Sequence, residues 1–225
     1  MEKSANAKFV DLFNKILNED AGNEWKENFE NFRKLMAYYK CAMMEVETKF
    51  NVLNEEYSLR YDRNPISAIK SRLKSPKSIK DKLDKHGVPA TIEGIENTLN
   101  DVAGIRVVCS FLQDVYSLAD AFLKQDDIVL IETKDYIKNP KPNGYRSLHL
   151  IVAVPIYLEH EKRMMRVEIQ LRTIAMHSWA SLEHQLSYKK NNVFTDEMAQ
   201  DLKHCANLSA ELDATMDKLR GQIKT

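Results

Sequence analysis

The chain has 225 residues, 44% hydrophobic and 29% charged, which is long and apolar enough to bury a sizeable core and argues against disorder. Its 33 lysines and arginines balance its 33 aspartates and glutamates, so no global charge marks nucleic-acid or membrane binding, and any phosphate site must come from local clustering. Three distant cysteines predict free thiols. No apolar run suits a signal peptide or a membrane span, so we expect a cytoplasmic protein without membrane partners.

Long helices are predicted at both ends of the chain. From Trp25 to Leu53 the apolar residues recur at alternating steps of four and three, the heptad seam of a helix that requires a partner helix. From Phe194 to Ile223 a second stripe runs without a breaker. Residues of both seams are expected in a core, and the sequence leaves open whether the two helices meet within or between subunits. We therefore divide the chain into an N-terminal helical region 1–58, a central domain 59–190 and a C-terminal helix 191–225.

The segment 60–85 is basic, with nine lysines and arginines against three aspartates. Lys70, Arg72 and Lys74 alternate with less polar residues, so a strand would place the three cations on one face. The stretch Ser75–Gly87 carries an N-cap serine, a first-turn proline and a terminal glycine, which predicts a helix. Cations beside a helix N-terminus favour an anion site, and a solvated basic surface is an equal alternative.

The remaining pattern predicts a mixed sheet backed by helices. Strands are indicated by alternating or β-branched runs, and helices by capping residues followed by apolar periodicity. With long helices at both ends, this order favours an α+β fold. The predicted elements are a short helix capped by Thr91, a strand 105–111, a helix from Asp114, strands 128–137, 148–155 and 166–172, and a helix from Thr173.

A cationic loop joins strands 128–137 and 148–155. Two prolines restrict it, Asn143 and Gly144 permit a tight turn, and Lys138, Lys141 and Arg146 surround one aromatic, Tyr145, which we expect to be exposed. A stacking ring beside phosphate-binding charge suits a nucleotide. An ordinary proline-rich hairpin loop with solvated lysines is the alternative.

Two carboxylates come from separate segments of the predicted sheet. Asp101 precedes strand 105–111, and Glu168 lies on the polar face of strand 166–172. Near the cations they would suit a magnesium-dependent nucleotide transfer, because oxygen ligands hold Mg²⁺ and fixed positive charge stabilises phosphate oxygens. A surface ion pair of Glu168 with Arg166 or Arg172 is the simpler alternative.

Four separated motifs then occur in one order. They read RLKSPKSI at 72–79, NDVAGIRV at 100–107, YIKNPKPNGYRSLH at 136–149 and VEIQLRT at 167–173. On these motifs the chain resembles the RelA/SpoT family of guanosine tetra- and pentaphosphate synthetases, specifically the stand-alone RelQ-type small alarmone synthetases. The resemblance runs from about residue 64 through 189. It implies a polymerase beta-like nucleotidyltransferase fold for the central domain, with long N- and C-terminal helices flanking it.

The resemblance implies that the β,γ-pyrophosphate of ATP moves to the 3′-hydroxyl of GDP or GTP, with release of AMP. Asp101 and Glu168 resemble the catalytic residues and the Mg²⁺ ligands, and Glu168 also resembles the general base. Arg72 and Arg106 resemble the pair that sandwiches adenine. By the same resemblance, the ATP site holds Arg72, Lys74, Ser78, Lys82 and Arg106, and the GDP or GTP site holds Lys134, Lys138, Lys141, Asn143, Tyr145, His149 and Gln170, with Tyr145 stacking on guanine.

Some features depart from the family or exclude other roles. The charge pattern before the loop, at 132–135, keeps a lysine but lacks the arginine of the long enzymes. No His-Asp dyad accompanies the six histidines, and the chain is too short for hydrolase or ribosome-binding domains, so we expect synthesis only. His177, Glu183 and His184 are not expected to bind zinc.

Partners and an alternative function complete these expectations. The resemblance implies a homo-oligomer, specifically a tetramer of the RelQ type, and allows an allosteric alarmone or single-stranded RNA as a further ligand. His177 stands where relatives usually hold asparagine, which leaves that regulation open. The alternative function is a non-catalytic nucleotide- or RNA-binding regulator on the same fold, which would not need Asp101 and Glu168.

Overall fold

The structure is a computed structural model that describes residues 22–188 and 195–223, without the side chains of 22–28 and 187–188. Within these ranges six helices accompany one five-stranded sheet. The helices are α1 (Gly22–Tyr61), α2 (Pro76–His86), α3 (Ile92–Thr98), α4 (Leu112–Leu123), α5 (Ile174–Tyr188) and α6 (Asp196–Ile223). The strands are β1 (Ile66–Leu73), β2 (Ala103–Cys109), β3 (Val129–Asp135), β4 (Leu148–Tyr157) and β5 (Lys162–Thr173).

The sheet is mixed, in the order β1-β2-β5-β4-β3. Only the central pair β2 and β5 is parallel, and the other three pairs are antiparallel. The predicted α+β fold and all five predicted strands are confirmed, with ends that differ by a few residues. On β5 the side chains of Val167, Ile169 and Leu171 are fully buried, so the core face and the polar face lie as their alternation predicts.

Helix α1 packs on the core face of this sheet. The seam residues from Phe32 to Leu53 are buried, and α1 contacts β1, β2, β4, β5 and α4. Phe50 stacks on Phe122 of α4 with ring centroids 4.7 Å apart. The predicted seam is therefore confirmed, but the predicted partner helix is wrong, because a sheet face covers the same stripe. The Trp25 side chain lies outside the described residues.

Helix α6 packs on the domain with the face opposite to its apolar stripe. Its apolar stripe at Leu208, Leu212, Met216 and Leu219 is 44% to 54% exposed, so the stripe is not buried within the described chain, and its burial between subunits stays a prediction. The buried positions of α6 are Ala206 and Asp213. A small and polar face thus packs on the domain, mainly against α5 and α4. Phe194 lies outside the described residues.

The predicted caps place the ends of α2 and α3. The Ser75 hydroxyl accepts a hydrogen bond from the Ser78 amide at 3.2 Å, and Gly87 ends α2 with a φ of +66°, a conformation that glycine adopts without steric cost. Thr91 caps α3 by accepting from the Gly94 amide at 3.0 Å. The N-terminus of α2 therefore follows the end of β1, as the sequence predicts.

The start of α4 differs from the prediction. The helix begins at Leu112, and Asp114 is buried in its first turn at 1% exposure. Its carboxylate accepts hydrogen bonds from Arg63 and Arg220, so Asp114 joins the chain before β1 to the end of α6 and does not act as an N-cap.

The thiols of Cys41, Cys109 and Cys205 are free, as predicted. Across the described ranges, helices with the length and apolarity of a membrane span do not occur.

Candidate active site

Side chains of all five strands form rows across the polar face of the sheet. The register pairs each residue of a row with its neighbour on the next strand, which holds their spacing near the interstrand distance. One row contains Lys70, Arg106, Gln170, His149 and Lys134, and the next contains Arg72, Gly104, Glu168, Ile151 and Glu132.

A cleft of about 250 Å³ lies over these rows. Asp101 comes from the turn before β2 and Glu168 from β5, and both line this cleft together with cations of β1 and β2. The two carboxylates therefore lie on one surface of the molecule. The predicted site residues among its walls are Arg72, Lys74, Asp101, Arg106, Glu168 and Gln170.

The Asp101 carboxylate is held by two ammonium groups. Its Oδ2 lies 2.7 Å from Lys74 Nζ and 2.8 Å from Lys82 Nζ. Burial alone would raise the pKa of Asp101, but the hydrogen bonds and charges of the two lysines outweigh burial and lower it below the ordinary value. Oδ1 is buried and has no hydrogen-bond partner among the described residues, so this oxygen is available to a cation.

Glu168 is held as an anion by different neighbours. Its Oε1 lies 3.3 Å from His149 Nδ1, and its Oε2 accepts a hydrogen bond from Gln170 Nε2 at 2.8 Å. Burial acts to raise the pKa of Glu168, and the contacts of His149 and Gln170 lower it by more, so that the pKa lies below its usual value. The predicted alternative, an ion pair with Arg166 or Arg172, is wrong.

Five side chains, with Glu168 among them, form a closed ring of polar contacts. His149 Nε2 lies 2.8 Å from the Tyr145 hydroxyl, and Arg172 donates from Nη2 to that hydroxyl and to Gln170 Oε1. Because a guanidinium only donates and a carboxylate only accepts, the Gln170 amide has one orientation that satisfies both neighbours. We name this set, Glu168, His149, Tyr145, Arg172 and Gln170, the carboxylate ring.

Arg172 is the member of the carboxylate ring that the sequence patterns did not predict as a site residue. It is 4% exposed, and its guanidinium lies 5.0 Å from the centroid of the Tyr145 ring. The pKa of the Arg172 guanidinium is lowered, and burial is the largest cause. Its alternation with Glu168 and Gln170 on the polar face of β5 was the available signal.

The β3–β4 loop (residues 136–147) carries Tyr145 into the carboxylate ring. Tyr145 is half-buried, so the prediction of an exposed aromatic is wrong: its hydroxyl is bonded and Lys141 Nζ lies 5.1 Å from its ring centroid. Asn143 Oδ1 accepts from the Tyr145 amide at 3.1 Å. Arg146 does not surround Tyr145 as predicted, because it donates to the Ala206 carbonyl of α6 at 3.1 Å.

The other predicted residues lie at the margins of this site. Lys134 pairs with Glu132 at 3.0 Å. Lys138 is largely exposed, with its ammonium 5.3 Å from the Tyr116 ring centroid and 3.7 Å from Asp135. Ser78 lies at the start of α2, with its hydroxyl 2.9 Å from that of Ser75.

A second cavity of about 370 Å³ adjoins the cleft and shares Arg72 and Arg106 with it. Its other walls include Tyr145, Arg172 and His184.

His177 of α5 has a lowered pKa because of burial and the charges of Arg106 and Lys70. Within residues 22–188 and 195–223, no group of three or more histidines, cysteines or acids could hold a metal ion.

Comparison with known proteins identifies the family of the chain. The family model described as the region found in RelA and SpoT proteins matches residues 71–193. GTP pyrophosphokinase YwaC of Bacillus subtilis strain 168 is 38% identical over 201 residues, which are 89% of this chain and 96% of that protein.

Solved structures show the same fold. Small alarmone synthetase 1 from Bacillus subtilis bound to its product pppGpp has a TM-score of 0.79 and 30% identity, covering 87% of this chain and 100% of that one. The same synthetase bound to AMPCPP has a TM-score of 0.73 and 27% identity, covering 87% and 98%. The matched region contains the cleft and the carboxylate ring, and the chain therefore belongs to the RelA/SpoT family.

Proposed function

We propose that the protein is a GTP pyrophosphokinase that synthesises (p)ppGpp, transferring the β,γ-pyrophosphate of ATP to the 3′-hydroxyl of GDP or GTP and releasing AMP. The observation that carries the proposal is the shared cleft of Asp101 and Glu168, lined by cations from β1 and β2. Relatives named for this activity match nearly the whole chain, and one is described with its product pppGpp.

The donor nucleotide is assigned to the β1 side of the cleft. Arg72 and Arg106 lie on adjacent strands and line both cavities, and planar guanidinium groups suit stacking on a purine better than ammonium groups do. Lys74, Ser78 and Lys82 stand at the end of β1 and on α2, where ammonium charge and a helix N-terminus favour phosphate. The relative described with AMPCPP supports an adenine nucleotide as the donor.

A divalent cation fits the two carboxylates. Asp101 Oδ1 is a buried oxygen without a hydrogen bond among the described residues, and Mg²⁺ is commonly held by one or two carboxylates together with substrate phosphates. Asp101 and Glu168 would hold it. When bound, Mg²⁺ supplies positive charge that stabilises phosphate oxygens and acidifies the attacking hydroxyl.

The acceptor nucleotide is assigned to the β3–β4 loop and β4. Tyr145 covers the guanine, and Lys134, Lys138, Lys141, Asn143, His149 and Gln170 surround the rest of the acceptor. Glu168 takes the proton of the 3′-hydroxyl. Its lowered pKa keeps it ionised, and therefore able to accept a proton, at neutral pH, although a carboxylate of low pKa is a weak base.

The decisive experiment incubates the purified protein with labelled ATP, Mg²⁺ and GDP or GTP. We expect AMP and a 3′-pyrophosphorylated guanosine nucleotide. Release of pyrophosphate in place of AMP would indicate another nucleotidyltransferase, and nucleotide binding without product would indicate the non-catalytic regulator. Glu168→Gln should abolish product and leave nucleotide binding mostly intact, which separates a general base from a binding contact.

Assembly and regulation are further proposals. The exposed apolar stripe of α6, together with Leu182 and Leu186 of α5, which are at least half exposed, supports a homo-oligomer, and we propose a tetramer that light scattering would test. We also propose that residues 59–190 carry the reaction without hydrolysis, that 1–58 and 191–225 support them, and that an alarmone or single-stranded RNA can act as an allosteric ligand.

A further inference from the structure

The β3–β4 loop packs directly on helix α6. Gly144 is buried at the turn of the loop with a φ of +91°, and a Cβ built on it would lie 2.5 Å from the Ala206 Cβ. Atoms of two residues do not approach that closely without displacement of one of them. The loop and the helix therefore fit only because position 144 is glycine and position 206 is small.

Arg146 ties the same two segments together. Its Nη1 donates to the Ala206 carbonyl at 3.1 Å and to the Gly144 carbonyl at 3.3 Å, and its Nη2 donates to Asn207 Oδ1 at 3.4 Å. One guanidinium thus bridges the loop and the helix backbone. Because Arg146 directly follows Tyr145, this bridge also fixes the backbone that carries the Tyr145 ring.

Helix α6 is held by contacts outside the loop. Trp179 Nε1 donates to the Leu202 carbonyl at 2.8 Å, which joins α6 to α5. The Thr173 hydroxyl donates to Asp213 at 2.7 Å, which joins α6 to the end of β5. With the Arg220 contact to Asp114 at 3.0 Å, these anchors position α6 on the sheet, and the loop rests on a support that is already fixed.

We propose that α6 is a positioning element for the β3–β4 loop, and that Ala206 sets the affinity for the acceptor nucleotide without touching it. This inference rests on the proposed function, in which Tyr145 covers the guanine. Ala206 is 3% exposed, so a larger side chain there must displace the loop or the helix. The assigned donor residues lie on β1, β2 and α2, and β1 is at the opposite edge of the sheet from β3.

The test compares Ala206→Leu with Ala214→Leu, the same substitution at an exposed position of the same helix. We expect the KM for GDP and GTP to rise about tenfold in Ala206→Leu, with the KM for ATP within about twofold of the wild type and no change in Ala214→Leu. An unchanged acceptor KM, an equal rise of both KM values, or the same effect in Ala214→Leu would overturn the proposal.

Arg146→Met is a second variant that tests the proposal if Ala206→Leu does not fold. It removes the bridge and keeps the apolar stem of the side chain. It should repeat the selective rise of the acceptor KM. If Arg146 instead bound acceptor phosphate, Arg146→Met would raise the KM while Ala206→Leu, once folded, would not.

Hydrogen exchange of the nucleotide-free protein separates this proposal from the proposed function. Amides of residues 136–147 should exchange several-fold faster in Ala206→Leu and Arg146→Met than in the wild type or Ala214→Leu. If the wild type makes no guanosine product, the proposed function fails and the exchange result still decides whether α6 positions the loop. Unchanged exchange in both variants would overturn the helix–loop coupling whatever the activity.

Discussion

His149 contacts Glu168 through one ring nitrogen and Tyr145 through the other: Nδ1 lies 3.3 Å from Glu168 Oε1, and Nε2 lies 2.8 Å from the Tyr145 hydroxyl. The group assigned as the base is thereby joined to the ring assigned to guanine. An acceptor that moves Tyr145 would therefore also move His149 and change its contact with Glu168. This relationship gives His149 a positioning task in addition to its assigned contact with the acceptor.

The first prediction concerns the pH dependence of His149→Gln. In the wild type, burial is the largest single effect and acts to raise the pKa of Glu168. The contacts of His149 and, to a smaller extent, Gln170 outweigh burial and lower that pKa. Glu168 therefore stays ionised until the pH falls below its ordinary carboxyl range of about 4.3. Removing His149 leaves only Gln170 to oppose the effect of burial, so the pKa of Glu168 rises and the acid limb of the kcat profile moves to higher pH. A profile of kcat at saturating nucleotides measures this shift, and an acid limb that stays in place would contradict the role of His149.

The second prediction separates the two tasks of Tyr145. Tyr145→Phe keeps the ring and removes the hydroxyl that His149 and Arg172 contact, so we expect a lower kcat with an acceptor KM within a few-fold of the wild type. Tyr145→Ala also removes the stacking surface, which is worth about 1–3 kcal/mol per base, so the acceptor KM should rise about tenfold or more. The KM for ATP should change little in both variants. Comparable losses for ATP and the acceptor would contradict the assignment of Tyr145 to guanine.

Sequence patterns predicted the individual elements better than their partners. The heptad seam of α1 is real, but an apolar stripe at that spacing fits a sheet face as well as a helix. The stripe of α6 is equally regular and exposed, because Ala206 and Asp213 pack on the domain in its place. Spacing reveals which residues share a face of a helix, and only the tertiary contacts determine which face is buried.

In the candidate site, too, sequence patterns showed which residues share a face but not which partners they contact. Alternation placed Glu168 and Gln170 on one polar face, and family motifs named both carboxylates. Arg172 and Arg146 were missed or misassigned because their task depends on partners distant in sequence: Arg172 meets the hydroxyl of Tyr145, and Arg146 meets a carbonyl of α6 that is 60 residues away. Alternation places Arg172 on the polar face of β5 beside Gln170, but no local pattern identifies the partners that are distant in sequence.

The third prediction tests Arg172. A lysine keeps the charge but cannot reproduce the fork that donates to Tyr145 and Gln170 together. We expect Arg172→Lys to lower kcat about tenfold, since a hydrogen bond to a charged group contributes about 1.5–3 kcal/mol. The matched control is Arg166→Lys on the same strand, where the guanidinium donates to Asn100 Oδ1 at 3.1 Å, and we expect less than about a threefold change there. Steady-state kinetics of both variants decide this, and equal losses would show that any arginine of β5 is equally sensitive.

The fourth prediction concerns stability. Asp114 is 1% exposed and pairs with Arg63 at 2.6 Å and Arg220 at 3.0 Å, so it joins the chain before β1, helix α4 and the end of α6. Asp114→Asn keeps the shape of the side chain and leaves two partly buried guanidinium groups without their anion, a change that costs about 3–5 kcal/mol. Because Arg220 is also one of the anchors of α6, hydrogen exchange should rise in residues 213–223 before global unfolding.

The control for Asp114→Asn is Glu56→Gln, which breaks an exposed ion pair with Arg60 at 2.7 Å. Exposed pairs of this kind contribute about 0–1 kcal/mol, so the denaturant midpoint should barely move. Urea unfolding of the two variants and the wild type measures the difference in the free energy of unfolding. If Asp114→Asn were as stable as Glu56→Gln, the buried carboxylate would not be the link between α4 and α6, and α6 would be held in place by its other contacts, such as those of Trp179 and Thr173.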